Sequence, residues 1–358
     1  MSVFGPSATL GIVGGGQLGR MLALVALDWG YRVHVLCQHK DEPAACLAHR
    51  CFLADFTDEA TLRAFAESCA VMTCEFEHVP ATALHVLEAH GLLRPKASVM
   101  LCAQNRHAEK QAIQEAGFLV APWQKVTDEK SARDACQVLG YPSIIKTARM
   151  GYDGKGQRRL DNDNDLMASA ALWQAGTCII EKKIDFVCEL SVVACGSVAG
   201  APLCYEPSRN VHESHILRRS HVPSGVSVAL CQQAQRIARQ LVQHLEVVGL
   251  LAVEMFVTQD ETLWVNELAP RAHNSGHWTM DACVSSQFEQ WLRMICGLPS
   301  GDVRRLYDVT MQNLLGEEVH RFLDDVSHKE KRVHIYGKTQ ARAQRKMGHV
   351  NVLSKRYP

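Results

Sequence analysis

Residues 265–279 read V-N-E-L-A-P-R-A-H-N-S-G-H-W-T, a strand-like start with a cluster of one acid, one guanidinium, two amides and two imidazoles. These groups suit a place where negative charge develops on a small oxyanion. Arg271 and His273 offer cationic or hydrogen-bonding groups to that charge, and Asn274 and Ser275 can orient substrate oxygens. Taken singly, His273 and His277 read more simply as structural histidines bonded to backbone. Glu254 in LLAVEMFV and Glu267 in LWVNEL lie in two apolar runs joined by the polar turn TQDE. If Thr258 faces Glu261 in a regular hairpin, Glu254 faces Val265 and Glu267 lies diagonally across on the same face. Two converging carboxylates predict a Mg²⁺ site, since that ion takes a few carboxylates and completes its shell with phosphate and water. Solvent-facing glutamates are the plain alternative, disfavoured by the cost of burying an unpaired carboxylate among apolar neighbours.

Two glycine-rich turns bear on phosphate. Lys146 ends the strand SIIK, and Gly151-Tyr152-Asp153-Gly154-Lys155-Gly156-Gln157 follows. Its glycines free backbone amides to fold over a polyphosphate while Lys146 neutralises charge, although the Walker order G-K-[ST] is absent and the turn alone reads as a hairpin. Gly14-Gly15-Gly16-Gln17-Leu18-Gly19 satisfies G-x-G-x-x-G between a strand and a helix. On spacing alone it is equally a phosphate loop or a device for close strand–helix packing. A nicotinamide oxidoreductase needs an acid at the end of the next strand, and VHVLCQHK places Cys37 and Gln38 there.

The elements that must position these groups alternate. TLGIV, RVHVLC and AVMTCEF read as strands separated by helical segments such as RMLALVALDWG and EATLRAFAESC, which predicts a doubly wound parallel sheet ending near residue 100. The helix NRHAEKQAIQEAGF then leads, past Gly117 and Pro122, to strands YPSIIKTA, TCIIEKKI and ELSVVAC around the second glycine loop. VALCQQAQRIARQLVQHL is an amphipathic helix before the glutamate hairpin, and the last 60 residues are mixed and end in the basic KTQARAQRK. At 358 residues the chain calls for two or three packed units. Its 38 basic and 38 acidic residues cancel, so nucleic acid and acidic membranes find no general attraction and an anionic ligand must meet a local cluster. No apolar run is long enough to span a bilayer and no signal-peptide pattern is visible, which predicts a cytoplasmic protein. The fourteen cysteines lack any C-x-x-C spacing and read as reduced thiols.

GGGQLGRM, CEFEHVP, RPKASVMLCAQNRHAEK, IIKTARMGYDGKGQ, CELSVV, RNVHESHIL, VNELAPRAHNSGHWT and YGKTQARAQRKMGHV, in this order, resemble the ATP-grasp ligases from end to end, and APR-x-HNSGHWT points to their purine-pathway branch. The resemblance implies an α/β ATP-grasp fold: a Rossmann-like domain over 1–103, an ATP-grasp domain over 104–295 with its lid at about 122–186, and a small α+β domain over 296–358. It implies a homodimer that uses ATP and Mg²⁺ to phosphorylate bicarbonate, the exocyclic amine of 5-aminoimidazole ribonucleotide capturing the carboxyl group. Carried over by residue, Arg106 and Lys146 meet ATP phosphates, Gly151 to Gln157 is the lid loop, and Glu181, Lys182, Lys183 and Ile184 form the hinge beside adenine. Glu189 takes the ribose hydroxyls and His212 another nucleotide position, while Glu254, Asn266 and Glu267 form the metal and phosphate end. Tyr152 and Asp153 lie near the substrate amine, with Asp153 able to accept its proton. Gln17, Leu18 and Glu75 face Lys338, Arg342, Arg345 and Lys346 across the ribonucleotide. A solvated basic tail is the alternative for that last cluster, and a formate-using ligase of the same fold is the alternative for the whole chain. The chain departs from the usual pattern at Met150, Ala272 and the R-A-Q-R-K stretch without losing a functional group.

Overall fold

Apolar runs in the first 75 residues become strands β1 (Thr9–Val13), β2 (Arg32–Cys37) and, after the mostly exposed edge strand β3 (Arg50–Leu53), β4 (Val71–Cys74) of a parallel sheet ordered β3-β2-β1-β4. The computed structural model describes residues 3–151 and 155–356. The central strand β1 and its neighbour β4 are buried almost throughout because helices cover both faces. Leu10 and Ile12 pack with Leu18, Met21 and Leu22 of helix Gln17–Asp28, while Val13 and Leu36 pack with Leu62 and Phe65 of helix Glu59–Glu67 and Leu84 and Leu87 of helix Ala81–His90. Gly14, at φ 103°, carries β1 into its helix where a Cβ would come within 2.6 Å of Glu75 and Phe76.

Strands β5 (Trp123–Val126), β6 (Ser143–Thr147), β7 (Gln157–Leu160) and β8 (Cys178–Lys182) form a separate antiparallel sheet, ordered β5-β8-β6-β7, that carries the second glycine loop between β6 and β7. The chain then builds its largest sheet from β9 (Cys188–Gly196), β10 (Leu203–Cys204), β11 (Ser208–Glu213), β12 (Ile216–Val222), β13 (Gly249–Val257), β14 (Leu263–Ala269), β15 (Tyr307–Leu315), β16 (Lys331–Ile335) and β17 (Lys346–Lys355). Its path is β14-β13-β9-β11-β12-β15-β17-β16, with β10 beside β9. CELSVVAC therefore does not belong to the glycine-loop sheet, and the mixed C-terminal stretch turns out to be three strands that extend the central sheet.

Both faces of that sheet are covered, which explains why LLAVEMFV shows no alternation. Leu250 and Ala252 pack toward helix Gln287–Ile295 and the N-terminal sheet, whereas Leu251, Val253 and Met255 pack toward Leu230, Ala234, Ile237 and Leu241 of helix Val228–His244. Glu254 falls on the first of these faces, where the N-terminal domain leaves the sheet and a cleft begins. The two domains are joined by Trp291, fully buried, whose indole donates to Thr73 Oγ1 on β4 at 3.1 Å, and by Arg94, which donates to Ile295 O at 2.6 Å. All fourteen cysteines are unbridged, in keeping with their scattered spacing. Among the described residues no helix is long and apolar enough to cross a membrane.

Trp291→Ala empties the domain junction and leaves the Thr73 hydroxyl without its partner. It is expected to cost about 3–5 kcal/mol and to lower the unfolding midpoint in calorimetry.

Candidate active site

The glutamate hairpin differs from the regular one in a way that matters. Thr258 pairs with Thr262 rather than Glu261, its N–H donating to Thr262 O at 3.1 Å, so the turn is one residue wider. Met255 faces Val265, and a bulge then brings Glu254 directly opposite Glu267, not diagonal to it, with Asn266 as the extra residue. Two carboxylates are thus closer than a regular ladder would place them. Burial first, and then the neighbouring Glu267, push the Glu254 carboxyl well above its usual range. Two carboxylates brought opposite each other are a fitting oxygen donor set for Mg²⁺, provided phosphate and water complete it. Among the described residues no cluster of three or more His, Cys, Asp or Glu could hold a metal without such help.

Around this pair opens a cleft of about 640 Å³, within the range of small-molecule sites. Arg106, the first residue of helix Arg106–Glu115, reaches Glu267 at 3.5 Å. Burial would lower its guanidinium, but Glu267, Glu109 and Glu181 raise it. Lys146 lines the cleft from β6 and is paired with Glu181 on β8, whose other oxygen takes Lys110 at 2.7 Å. Burial works against that carboxylate, yet the two lysines hold it down at about 2. Glu189 and His212 line the cleft as a hydrogen-bonded pair from β9 and β11. Burial would lower His212, and the Glu189 contact raises it.

The loop after β14 settles the role of its histidine. Ser275 N–H donates to His273 Nδ1 at 3.4 Å, and an amide nitrogen can only donate, so Nδ1 is the acceptor and the ring proton sits on Nε2, 3.3 Å from Glu254 Oε1. Burial, with Arg271 and Lys346 nearby, pushes His273 down to about 3, so it is a neutral donor near neutral pH. Ser275 is fully buried and bonds His273 Nδ1 through its hydroxyl at 2.7 Å. Gln287 fixes the loop by accepting from His273 N at 3.0 Å and donating to His273 O at 2.9 Å. Asn274 lines the cleft and its buried Nδ2 has no partner among the described residues. A buried donor left open is ready for a ligand oxygen.

On the opposite wall, the first glycine turn is already filled from within. Glu75 accepts from Gly16 N at 2.7 Å and Gly19 N at 3.1 Å, and Glu42 from Gly15 N at 3.1 Å. These are the amides a dinucleotide phosphate would need, so the turn holds carboxylates instead of a cofactor.

Of the residues singled out from sequence, Gln17, Leu18, Glu75, Arg106, Lys146, Gly151, Gln157, Glu189, His212, Glu254, Asn266, Glu267, Arg271, His273, Asn274 and Lys346 line this one cleft. Glu181, Lys182, Lys183 and Ile184 do not, nor do Lys155, Gly156, Ser275, Lys338 or Arg345. Lys338 instead donates to Lys346 O at 2.7 Å, and Arg345 to Gln340 O at 3.0 Å. Tyr152, Asp153 and Gly154 lie outside the described residues.

Sequence reasoning missed Phe186 and Phe256, stacked 4.5 Å apart as an apolar wall, and Glu77 and Glu109. The aromatic pair comes from two distant segments, and only tertiary structure joins it. Glu77 and Glu109 stood in quoted motifs, CEFEHVP and NRHAEK, without a signal of what they would touch.

A cleft that gathers paired carboxylates, buried cations and open donors, between a parallel-sheet domain and two antiparallel sheets, defines an ATP-grasp protein. Residues 111–288 match the ATP-grasp domain, 7–104 the ribonucleotide synthetase preATP-grasp domain and 310–357 the phosphoribosylaminoimidazole carboxylase C-terminal domain. The chain is 43% identical to the N5-carboxyaminoimidazole ribonucleotide synthase of Bacillus subtilis (strain 168) over 349 residues, covering 97% of this chain and 92% of that one. It is 41% identical to the Brucella melitensis protein of the same name over 98% of both chains. A solved ADP complex of N5-carboxyaminoimidazole ribonucleotide synthetase superposes with a TM-score of 0.96 at 42% identity, covering 99% of this chain and 95% of that one. The Aspergillus clavatus N5-carboxyaminoimidazole synthase, solved with ADP and 5-aminoimidazole ribonucleotide, gives a TM-score of 0.91 at 28% identity, covering 98% and 94%. The chain belongs to the ATP-grasp family, in the branch of the N5-carboxyaminoimidazole ribonucleotide synthases.

Glu109 gives a pH prediction. Its Oε1 accepts from Leu268 N at 2.6 Å, and burial, with Glu267 adding, pushes it up to about 8 from the ordinary 4.5. A raised folded pKa means the folded state holds the proton more tightly. This contribution to stability is therefore complete below about pH 4.5 and is lost as pH rises through about 8. Glu109→Gln keeps the acceptor for Leu268 and removes the titration, so in the ligand-free protein the decline of melting temperature across this window is expected to be shallower than in wild type.

Proposed function

We propose that the chain carboxylates the exocyclic amine of 5-aminoimidazole ribonucleotide with bicarbonate at the expense of ATP, giving 5-(carboxyamino)imidazole ribonucleotide, ADP and phosphate. The observation that carries this reading is the convergence, in one cleft, of the Glu254–Glu267 pair with Arg106 and Lys146 on one side and Arg271, His273 and Asn274 on the other. Phosphate can be bound and a small anion made within reach of both. The comparisons support the substrates, since related enzymes of this name have been solved with ADP and with 5-aminoimidazole ribonucleotide.

In this reading the Phe186–Phe256 wall receives the adenine and Glu189 and His212 receive the ribose. Arg106 and Lys146 neutralise the phosphates, Lys146 being held in place by Glu181. Glu254 and Glu267 hold Mg²⁺, which supplies charge neutralisation at the transferring phosphoryl group. A bicarbonate oxygen attacks the terminal phosphorus and ADP leaves, forming carboxyphosphate. Arg271 and the Nε2–H of neutral His273 donate to the charge that develops, and Asn274 Nδ2 meets a substrate oxygen. The amine nitrogen of the ribonucleotide then attacks the carboxyl carbon, phosphate leaves, and Asp153 takes the amine proton. Gln17, Leu18 and Glu75 bind the ribonucleotide from the N-terminal domain, with Lys346 near its phosphate. Closure of the loop over 151–157 excludes water from a short-lived anhydride.

The test is ADP release by the purified protein with ATP and Mg²⁺, measured with and without the ribonucleotide and with bicarbonate depleted, restored or replaced by formate. Release should need both the ribonucleotide and bicarbonate, and Glu267→Gln should lower the rate by roughly 100-fold or more. Release that follows formate instead would favour a transformylase of the same fold.

A further inference from the structure

Arg271 stands at the centre of the proposed chemistry on a long, flexible side chain, and a guanidinium must be oriented before it can present its N–H groups to a developing anion. Three observations show what orients it. Its Nε donates to Glu77 Oε2 at 2.5 Å, while Nη1 gives one hydrogen to Ala272 O at 3.0 Å. The residue lines the cleft beside His273 and Asn274, so its remaining donors belong to that side.

Glu77 is itself fixed from below. The side-chain amide of buried Gln104 donates to Glu77 O at 2.7 Å and to Val79 O at 2.7 Å, which clamps the backbone of the CEFEHVP turn from both sides of His78. Two residues earlier, Glu75 is tied to Gly16 and Gly19. Burial would raise the Glu77 carboxyl, but Arg271 pulls it down to about 2, so the pair stays charged across the physiological range. The partners are 194 residues apart and come from different domains, so this contact also reports whether the N-terminal domain is docked.

We infer that Glu77 is a positioning residue for this reaction, aligning Arg271 for the carboxylate or phosphate oxygens of the substrate anion without touching them itself. The inference rests on the function proposed above and adds a residue to it. Its readout is a split between parameters: Arg271 orientation matters to the step in which charge develops and little to nucleotide binding some distance away.

The experiment uses the full chain and the ADP-release assay on wild type, Glu77→Gln, Glu77→Asp, Arg271→Ala and the double variants with Arg271→Ala, each checked by thermal unfolding. Glu77→Gln should lower kcat by about 10- to 100-fold while KM for ATP changes by less than about threefold. Glu77→Asp, which keeps the charge, should recover about tenfold of that loss. In the Arg271→Ala background, either change at Glu77 should add nothing further, because a residue that acts through Arg271 has nothing left to act on. A wild type with no ribonucleotide- and bicarbonate-dependent release would overturn the functional reading. An active wild type equalled by Glu77→Gln, or losses that add in the double variant, would overturn the role of Glu77 alone. If Glu77→Gln does not fold, the Glu77→Asp single and double variants carry the same comparison.

Discussion

Glu254 is largely buried and faces a second carboxylate on the neighbouring strand, an arrangement that disfavours its charge unless a cation joins the two. Much of the cleft can be understood as the setting for that one constraint. The bulge at Asn266 makes Glu254 and Glu267 opposite neighbours, Arg106 leans on Glu267 from one side, and the His273 ring lies 3.3 Å from Glu254 on the other. The Arg106 guanidinium beside Glu267, and His212 and Lys346 toward Glu254, lower the cost of crowding two acids together. A protein with no net charge has thereby built a strongly polarised interior, with Lys110 and Lys146 placed against Glu181 and Arg271 against Glu77.

Much of the architecture could be read before any coordinates because local rules and global packing agree. TLGIV, RVHVLC and AVMTCEF are strands for the reason their apolar runs suggest, and VALCQQAQRIARQLVQH is a helix with one buried stripe. β15, which carries the other C-terminal strands, was harder to see, since its pairing partner β12 lies far upstream and nothing local announces it. The site was legible as a set of residue types and much less so as contacts. A regular hairpin register put Glu254 opposite Val265, and two extra residues, one in the wider turn and one at the bulge, changed that pairing. Glu181 was expected at a hinge beside adenine, but its side chain turns inward to Lys110 and Lys146, a choice made by burial and not by sequence spacing.

The same contrast runs through the loop after β14. Its residue types announced anion chemistry, yet the division of labour within it depends on which nitrogen of His273 is already occupied. One backbone N–H from Ser275 decides that, and it turns a residue with two possible tautomers into one whose donor is Nε2. Ser275 and Gln287 thus act by holding another group still, the kind of role that composition and motif cannot reveal.

The first glycine turn has a consequence of a different sort. Its helix begins with amides already answered by Glu75 and Glu42, so the domain carries its own surrogate anions and needs no visitor to satisfy the start of that helix. A fold built like a nucleotide receptor has become a self-contained wall. For anyone seeking inhibitors, adenine dinucleotides would find no foothold at this turn, and selectivity has to be sought where Gln17 and Leu18 meet the larger cleft.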